Sequence, residues 1–195
     1  MKKVFTTKNI AGMAVFSALS FILYLLEIPI FAGTPASFLE LDLSNVFVML
    51  SGFMYGPVPA LIVCAVKELL HFITGIGTTG GVGELANTII TASYAIFPSI
   101  LYKYKKGLDT VIWSLAVACV IQIAVSLVVN KFINFPAFMG SIPFVPTEFS
   151  NQVFASLWVY VLAFNAIKSV VISVITVLLY KKVSYLFKKI NLQNS

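Results

Sequence analysis

Asn151–Tyr180 reads NQVFASLWVYVLAFNAIKSVVISVITVLLY, thirty residues with a single charged side chain, Lys168. A hydrocarbon layer roughly 30 Å thick is crossed by about 20 consecutive apolar residues in a helix. This stretch therefore crosses a bilayer with length to spare. Working outward from it, comparable stretches fall at about 9–26, 43–55, 60–73, 84–102 and 109–130. The expected fold is an all-α integral membrane protein of six transmembrane helices, forming a single membrane domain over 1–195. The second and third spans are short. Gly56-Pro57-Val58-Pro59 separates them, because proline lacks the backbone N–H and clashes with the preceding turn.

Composition agrees. Hydrophobic residues make up 59% of the chain and charged residues 10%, against roughly 25% charged in a soluble domain. The formal net charge is +6, all 13 basic residues being lysine. Nucleic-acid binding is excluded as its cause: the lysines cluster beside apolar spans, and arginine, the usual base reader, is absent. Lysine marks the cytoplasmic side of a membrane protein. Ten of the lysines lie at the N-terminus (Lys2, Lys3, Lys8), in one turn (Lys103, Lys105, Lys106) and in the tail (Lys181, Lys182, Lys188, Lys189). Both termini and that turn are thus expected in the cytoplasm. An even number of crossings must then precede Lys103, which requires a true turn at Gly56-Pro57. Glu27, Glu40, Asp42, Glu84 and Glu148 fall at the opposite ends or in loops.

Three lysines remain: Lys67, Lys131 and Lys168. Ionisable groups inside a span are costly, and each is a functional candidate by default. Helical spacing puts Trp158, Leu162, Asn165 and Ser169 on one stripe, with Lys168 adjoining it. An amide, a cation and an indole on one face suit a planar, hydrogen-bonding heterocycle. The alternative is inter-helix packing, with Lys168 snorkelling. Asn130-Lys131 sits at the end of the fifth span and precedes Phe132, Phe135, Phe138 and Phe144, which suit either stacking on an aromatic ligand or an interfacial belt. Lys67 is expected in a buried ion pair with Asp42 or Glu68.

Several motifs carry nothing. Glu68-x-x-His71 has bundle-metal spacing, yet the chain holds one histidine in all, so no metal is expected. Gly75-Ile-Gly77-Thr-Thr-Gly80 matches a dinucleotide fingerprint only literally, since it follows a membrane span rather than a strand. There is no P-loop, and ATP hydrolysis is not expected here. Cys64 and Cys119 lie within apolar spans as small buried hydrophobes. Ala14-x-x-x-Ala18 is a small-xxx-small pattern, which lets a second helix approach closely.

Taken together, these features resemble the riboflavin-specific S components of energy-coupling-factor (ECF) transporters, over nearly the whole chain. The stretches that carry the resemblance are Phe38-Leu-Glu-Leu41-Asp42-Leu-Ser-Asn45, Gly56-Pro57, Thr78-Thr79-Gly-Gly-Val-Gly-Glu84-Leu-Ala-Asn87, Asn130 and Asn165-x-x-Lys168. The chain departs from the family pattern at Asn45, where an acid is frequent, and at Glu68, where asparagine is. The resemblance implies a multi-pass protein of a bacterial cell membrane that captures riboflavin (FMN being a further candidate) from outside, with no cofactor of its own. Its ligand contacts would be Leu41, Thr79, Glu84, Asn87, Asn130, Trp158, Asn165 and Lys168. Its partners would be a coupling transmembrane subunit, met through Ala14 and Ala18, and two ATPases. An S component for folate, thiamine or pantothenate is the alternative. An intramembrane enzyme is a more distant one, lacking any visible nucleophile–base pair.

Overall fold

The computed structural model describes residues 5–75 and 80–192, with side chains to residue 183. In chain order it contains α1 (Thr7–Tyr24), β1 (Ile28–Pro29), β2 (Glu40–Leu41), α2 (Asn45–Tyr55), α3 (Pro57–Thr74), α4 (Val82–Tyr104), α5 (Leu108–Val129), a π-helical turn (Asn130–Asn134), α6 (Phe135–Phe138) and α7 (Glu148–Leu192). Every expected span is found as a helix, most with ends shifted by one to three residues. The all-α expectation needs one amendment. Ile28 pairs with Leu41 and Pro29 with Glu40 in a two-stranded antiparallel ribbon, which pins both ends of the loop between α1 and α2.

Among the described residues, five helical segments are long and apolar enough to cross a membrane, while α2 has eleven residues. At 1.5 Å per residue it reaches only about 16 Å. It survives because it sits at the centre, packed against α1, α3, α4 and α7. Asn45, Val46, Val48, Met49, Leu50, Ser51, Gly52 and Phe53 are all buried, the pattern of a helix covered on every side. Gly52 permits the closest approach: a Cβ there would run into the Ser99 hydroxyl of α4 and come within 3.3 Å of Ala60 in α3. The break between α2 and α3 is real. Gly56 takes φ 105°, a conformation that favours glycine, and Pro57 opens the next helix.

Among the described residues, Lys8, Lys103, Lys105, Lys106, Lys181 and Lys182 gather at one end. Tyr102 Oη and Tyr180 Oη hydrogen-bond at 2.6 Å, which brings the Lys103–Lys106 turn beside Lys181 and Lys182. At the far end, Asn87 donates to Tyr24 Oη at 2.7 Å, placing the start of α4 beside the end of α1 and leaving Lys8 at the lysine end. Lys2, Lys3, Lys188 and Lys189 lie outside the described side chains. The fifth span does not end at Asn130. The Phe135 N–H bonds back to the Asn130 carbonyl, a π turn that carries the helix on into α6.

Gly52→Leu should overpack the α2–α3–α4 junction and cost about 1–3 kcal/mol. A lower melting midpoint in detergent is the expected result.

Candidate functional site

Because α2 is short, space is left beyond its N-terminus, and the loop between α1 and α2 folds into it. Backbone outside a helix is tolerated at such depth only where protein or a polar cavity satisfies it. Here both do so. Ser20 Oγ of α1 donates to the Ser44 carbonyl at 2.7 Å, and the Ser44 N–H donates to Asp42 Oδ1 at 2.9 Å. The Ser44 hydroxyl bonds the same carboxylate oxygen.

Asp42, 2% exposed, is the hub. Its Oδ2 accepts from Lys168 Nζ at 2.6 Å, tying the loop to α7. Lys67 of α3 donates to Ser44 Oγ at 2.8 Å and to Asn45 Oδ1 at 2.9 Å, and stands 3.0 Å from Glu68 Oε1. Thr91 of α4 donates to Asn45 Oδ1 at 3.2 Å. The charges of Lys168 and Lys67 and the hydrogen bonds from Lys168 and Ser44 offset the cost of burying the Asp42 carboxylate. The N-terminus of α2 adds a favourable dipole for the same anion.

Next to this network lies a cavity of about 460 Å³, within the range of small-molecule sites. Its wall includes Asp42, Asn45, Thr91, Gln122, Asn130, Asn134, Asn165 and Lys168, with Tyr24, Phe38, Phe138 and Phe164 supplying aromatic surface. Glu27, Glu40, His71, Glu84 and Asn87 also line it. His71 Nδ1 lies 2.9 Å from Glu84 Oε1 and its Nε2 3.4 Å from Glu27 Oε1, with the Tyr24 ring stacked on it at 4.0 Å. Burial, together with the hydrogen bond and charge of Glu40, pushes the Glu27 carboxyl up to about 8.

Of the residues singled out from sequence, Asn130, Asn165, Lys168, Glu84 and Asn87 come together around this cavity. Asn130 is not at a helix end, and α7 begins three residues earlier than expected, at Glu148. Lys168 does not snorkel; it is 6% exposed and paired with Asp42. Leu41 and Trp158 lie elsewhere. Leu41 packs on the apolar cluster of Ala36, Leu39 and Phe135, its strand alternation sending Glu40 and Asp42 to the cavity instead. Trp158 shares a helix stripe with Asn165 but sits about 10 Å along α7 from it, 44% exposed, in a separate cleft with Lys131, Phe132 and Phe154. Phe135 is buried in the same cluster as Leu41, so of Phe132, Phe135, Phe138 and Phe144 only Phe138 reaches the cavity. Thr79 lies outside the described residues.

Sequence reasoning missed Tyr24, Thr91 and Gln122. For Gln122 a signal existed, since an amide midway through an otherwise apolar span must find a partner. Of the two partners expected for Lys67, Glu68 forms the buried ion pair, at 3.0 Å, whereas Asp42 bonds directly to Lys168 and meets Lys67 through Ser44.

Asp42→Asn leaves two buried lysines short of negative charge and should cost about 3–5 kcal/mol, read by denaturation in detergent. Combining it with Lys168→Met should cost less than the sum of the single changes, the signature of direct coupling.

Comparison with known proteins bears on what the cavity is for. A model of the family described as "ECF transporter, substrate-specific component" matches residues 8–180. The "Riboflavin transporter RibU" of Staphylococcus aureus (strain TCH60) is 31% identical over 183 residues, 94% of this chain and 94% of its own length. The "Riboflavin transporter FmnP" of Bacillus subtilis (strain 168) is 28% identical over 180 residues, 90% and 91% of the two chains. A solved structure described as "Structure and mechanism of the S component of a bacterial ECF transporter" superposes with a TM-score of 0.77 at 28% identity, over 93% of this chain and 98% of that one. Sequence and fold agree along almost the full length, and the chain belongs to the family of substrate-specific components of ECF transporters, membrane subunits rather than enzymes.

Proposed function

We propose that the ligand is riboflavin, captured in the cavity beside the Asp42–Lys168 pair and passed inward by a complex that supplies the ATPases. The observation that carries this reading is the cavity itself. It sets aromatic surface beside a buried lysine and several side-chain amides, in a chain 31% identical to a riboflavin transporter. A flavin has an apolar benzenoid end and a pyrimidine edge of carbonyls flanking an N–H. A dry bundle must satisfy that edge and the ligand's other polar atoms, because each unpaired buried polar group costs roughly 1–3 kcal/mol. Asn165 uses one N–H on the Val161 carbonyl, and Asn130 one on the Ser126 carbonyl. Each retains hydrogen-bonding capacity for a ligand, and Lys168 has two further donors beyond its bond to Asp42. Glu84 and Asn87 belong to the same proposed contact set; Thr79 and Leu41 enter it by the resemblance alone, and Trp158 by the resemblance and its helical stripe with Asn165.

Six crossings, with both termini on the cytoplasmic side, are part of the same reading. The gathering of Lys8, Lys103, Lys105, Lys106, Lys181 and Lys182 at one end supports it. The short α2 would complete its crossing through the buried chain that precedes it. Ala14 and Ala18 are exposed on α1, as is Ala11 one turn away, while Met13, Phe16, Ser17, Ser20 and Tyr24 face inward. A small-residue stripe on the outer face suits close docking by a coupling subunit.

Purified protein should quench flavin fluorescence on titration. Asn130→Leu or Asn165→Leu should weaken riboflavin binding by about 10-fold or more, equivalent to roughly 1.4 kcal/mol, with folding and insertion retained. Parent-like affinity in both variants would make these asparagines structural.

Ala14→Trp or Ala18→Trp should abolish riboflavin uptake by cells carrying the whole transporter and leave binding by the isolated subunit intact. Loss of binding instead would put the two alanines in internal packing.

A further inference from the structure

Six side-chain amides line the cavity: Asn45, Asn87, Asn130, Asn134, Asn165 and Gln122. Five already make hydrogen bonds within the protein. Asn45 accepts from Lys67 and Thr91, and Asn87 donates to Tyr24. Asn134 donates to Asn130, which itself donates to Ser126, and Asn165 donates to Val161. Gln122 of α5 is the exception among the described residues. It is 1% exposed, and neither its Oε1 nor its Nε2 has a partner. A buried amide with both groups unmade costs free energy comparable to two lost hydrogen bonds. Shape does not require an amide here, since methionine fills the same volume without polar atoms.

Height in the bundle shows what Gln122 can reach. Cys119 Sγ and Ser173 Oγ meet at 3.3 Å and set the register of antiparallel α5 and α7. Three residues on from Cys119, Gln122 is then level with the Lys168–Val170 turn of α7. Asn130 is eight residues further along, about 12 Å away. The cavity therefore has a polar end made by Gln122 and Lys168, well separated from Asn130.

Resting on the riboflavin reading above, we infer that Gln122 is a specificity-determining residue that reads the ligand's imide edge. Its Oε1 accepts from the ring N–H and its Nε2 donates to one adjacent carbonyl, while Lys168 donates to the other. The class of ligand selected is a planar heterocycle with a carbonyl, an N–H and a carbonyl in sequence. A ring lacking that N–H leaves Oε1 buried and unpaired, the kind of penalty by which a polar site rejects a near-isostere.

The experiment compares the parent and Gln122→Met, each titrated with riboflavin and with N3-methylriboflavin by flavin fluorescence quenching, and melts both proteins without ligand. The parent should lose at least about 10-fold in affinity on N3 methylation. Gln122→Met should lose a similar factor for riboflavin, and methylation should then cost it far less, because the two changes remove one interaction. The ligand-free variant should melt at or above the parent's midpoint, since an unpaired amide has gone. Equal riboflavin affinity in parent and variant overturns the inference alone, as does a methylation penalty undiminished in the variant. A ligand-free variant that melts well below the parent also overturns it, by making the amide structural. A parent that does not bind riboflavin overturns the riboflavin reading and, with it, this inference.

Discussion

The carboxylate of Asp42 is buried and has two lysines to answer. Lys168 bonds it directly, and Lys67 reaches it through Ser44. Buried charges persist only when paired and hydrogen-bonded, so these groups hold one another in place. The consequence is architectural. Asp42 lies in a loop, Lys67 in α3 and Lys168 in α7, and the chain between α1 and α2 is thereby fastened to two helices distant in sequence. Replacing such a pair with apolar residues can be neutral for stability. Its use here is geometric, because it holds a cation at a fixed place on a cavity wall.

The cavity follows from a helix that stops early. A bundle of full-length apolar helices closes on itself, as the cluster around Val46, Met49, Leu50, Val63, Leu115 and Ile172 does. Above the N-terminus of α2 there is no further turn to fill the centre, and the helices around that space present polar groups to it. Leu39 and Phe164, from one apolar cluster, and Ile90, from another, form the remaining wall. Polar and apolar surface thus alternate around the cavity, which suits a ligand that has both.

How much of this was legible beforehand depends on the kind of signal. The helices were plain, because apolar runs of that length have no other use, and the Gly56-Pro57 break followed from lysine placement. Lys168 and Asn165 stood out because polar groups in the middle of a span are rare. The pairing of Lys168 with Asp42 was not legible, since the partners are 126 positions apart and Lys67 competes for the same acid. Trp158 shows the limit of helical periodicity. It shares a face with Asn165, but a face changes neighbours along a helix as long as α7. The ribbon Ile28–Pro29 with Glu40–Leu41 left no pattern, because two residues per strand are too few to show alternation. It nevertheless decides that Glu40 and Asp42, not Leu41, face the cavity.

The same helix serves both of the surfaces that the proposed function needs. On its inner side α1 carries Tyr24, which stacks on His71 and accepts from Asn87. On its outer side it carries Ala11, Ala14 and Ala18. A partner docked on the alanines touches the cavity only through the body of α1, so any influence must come as a displacement of the helix. A displacement of that kind strains the Tyr24–Asn87 bond and, through Ser20, the Ser44 carbonyl beside Asp42. Energetically, a partner shifts the equilibrium between a closed and an open cavity only by the difference in its affinity for the two. Hydrogen bonds that must break on opening subtract from that difference. α1 meets the cavity wall through the Tyr24–Asn87 and Ser20–Ser44 hydrogen bonds, the Tyr24–His71 stack and the Lys67 ammonium over the Tyr24 ring, and it packs along α2 and α3.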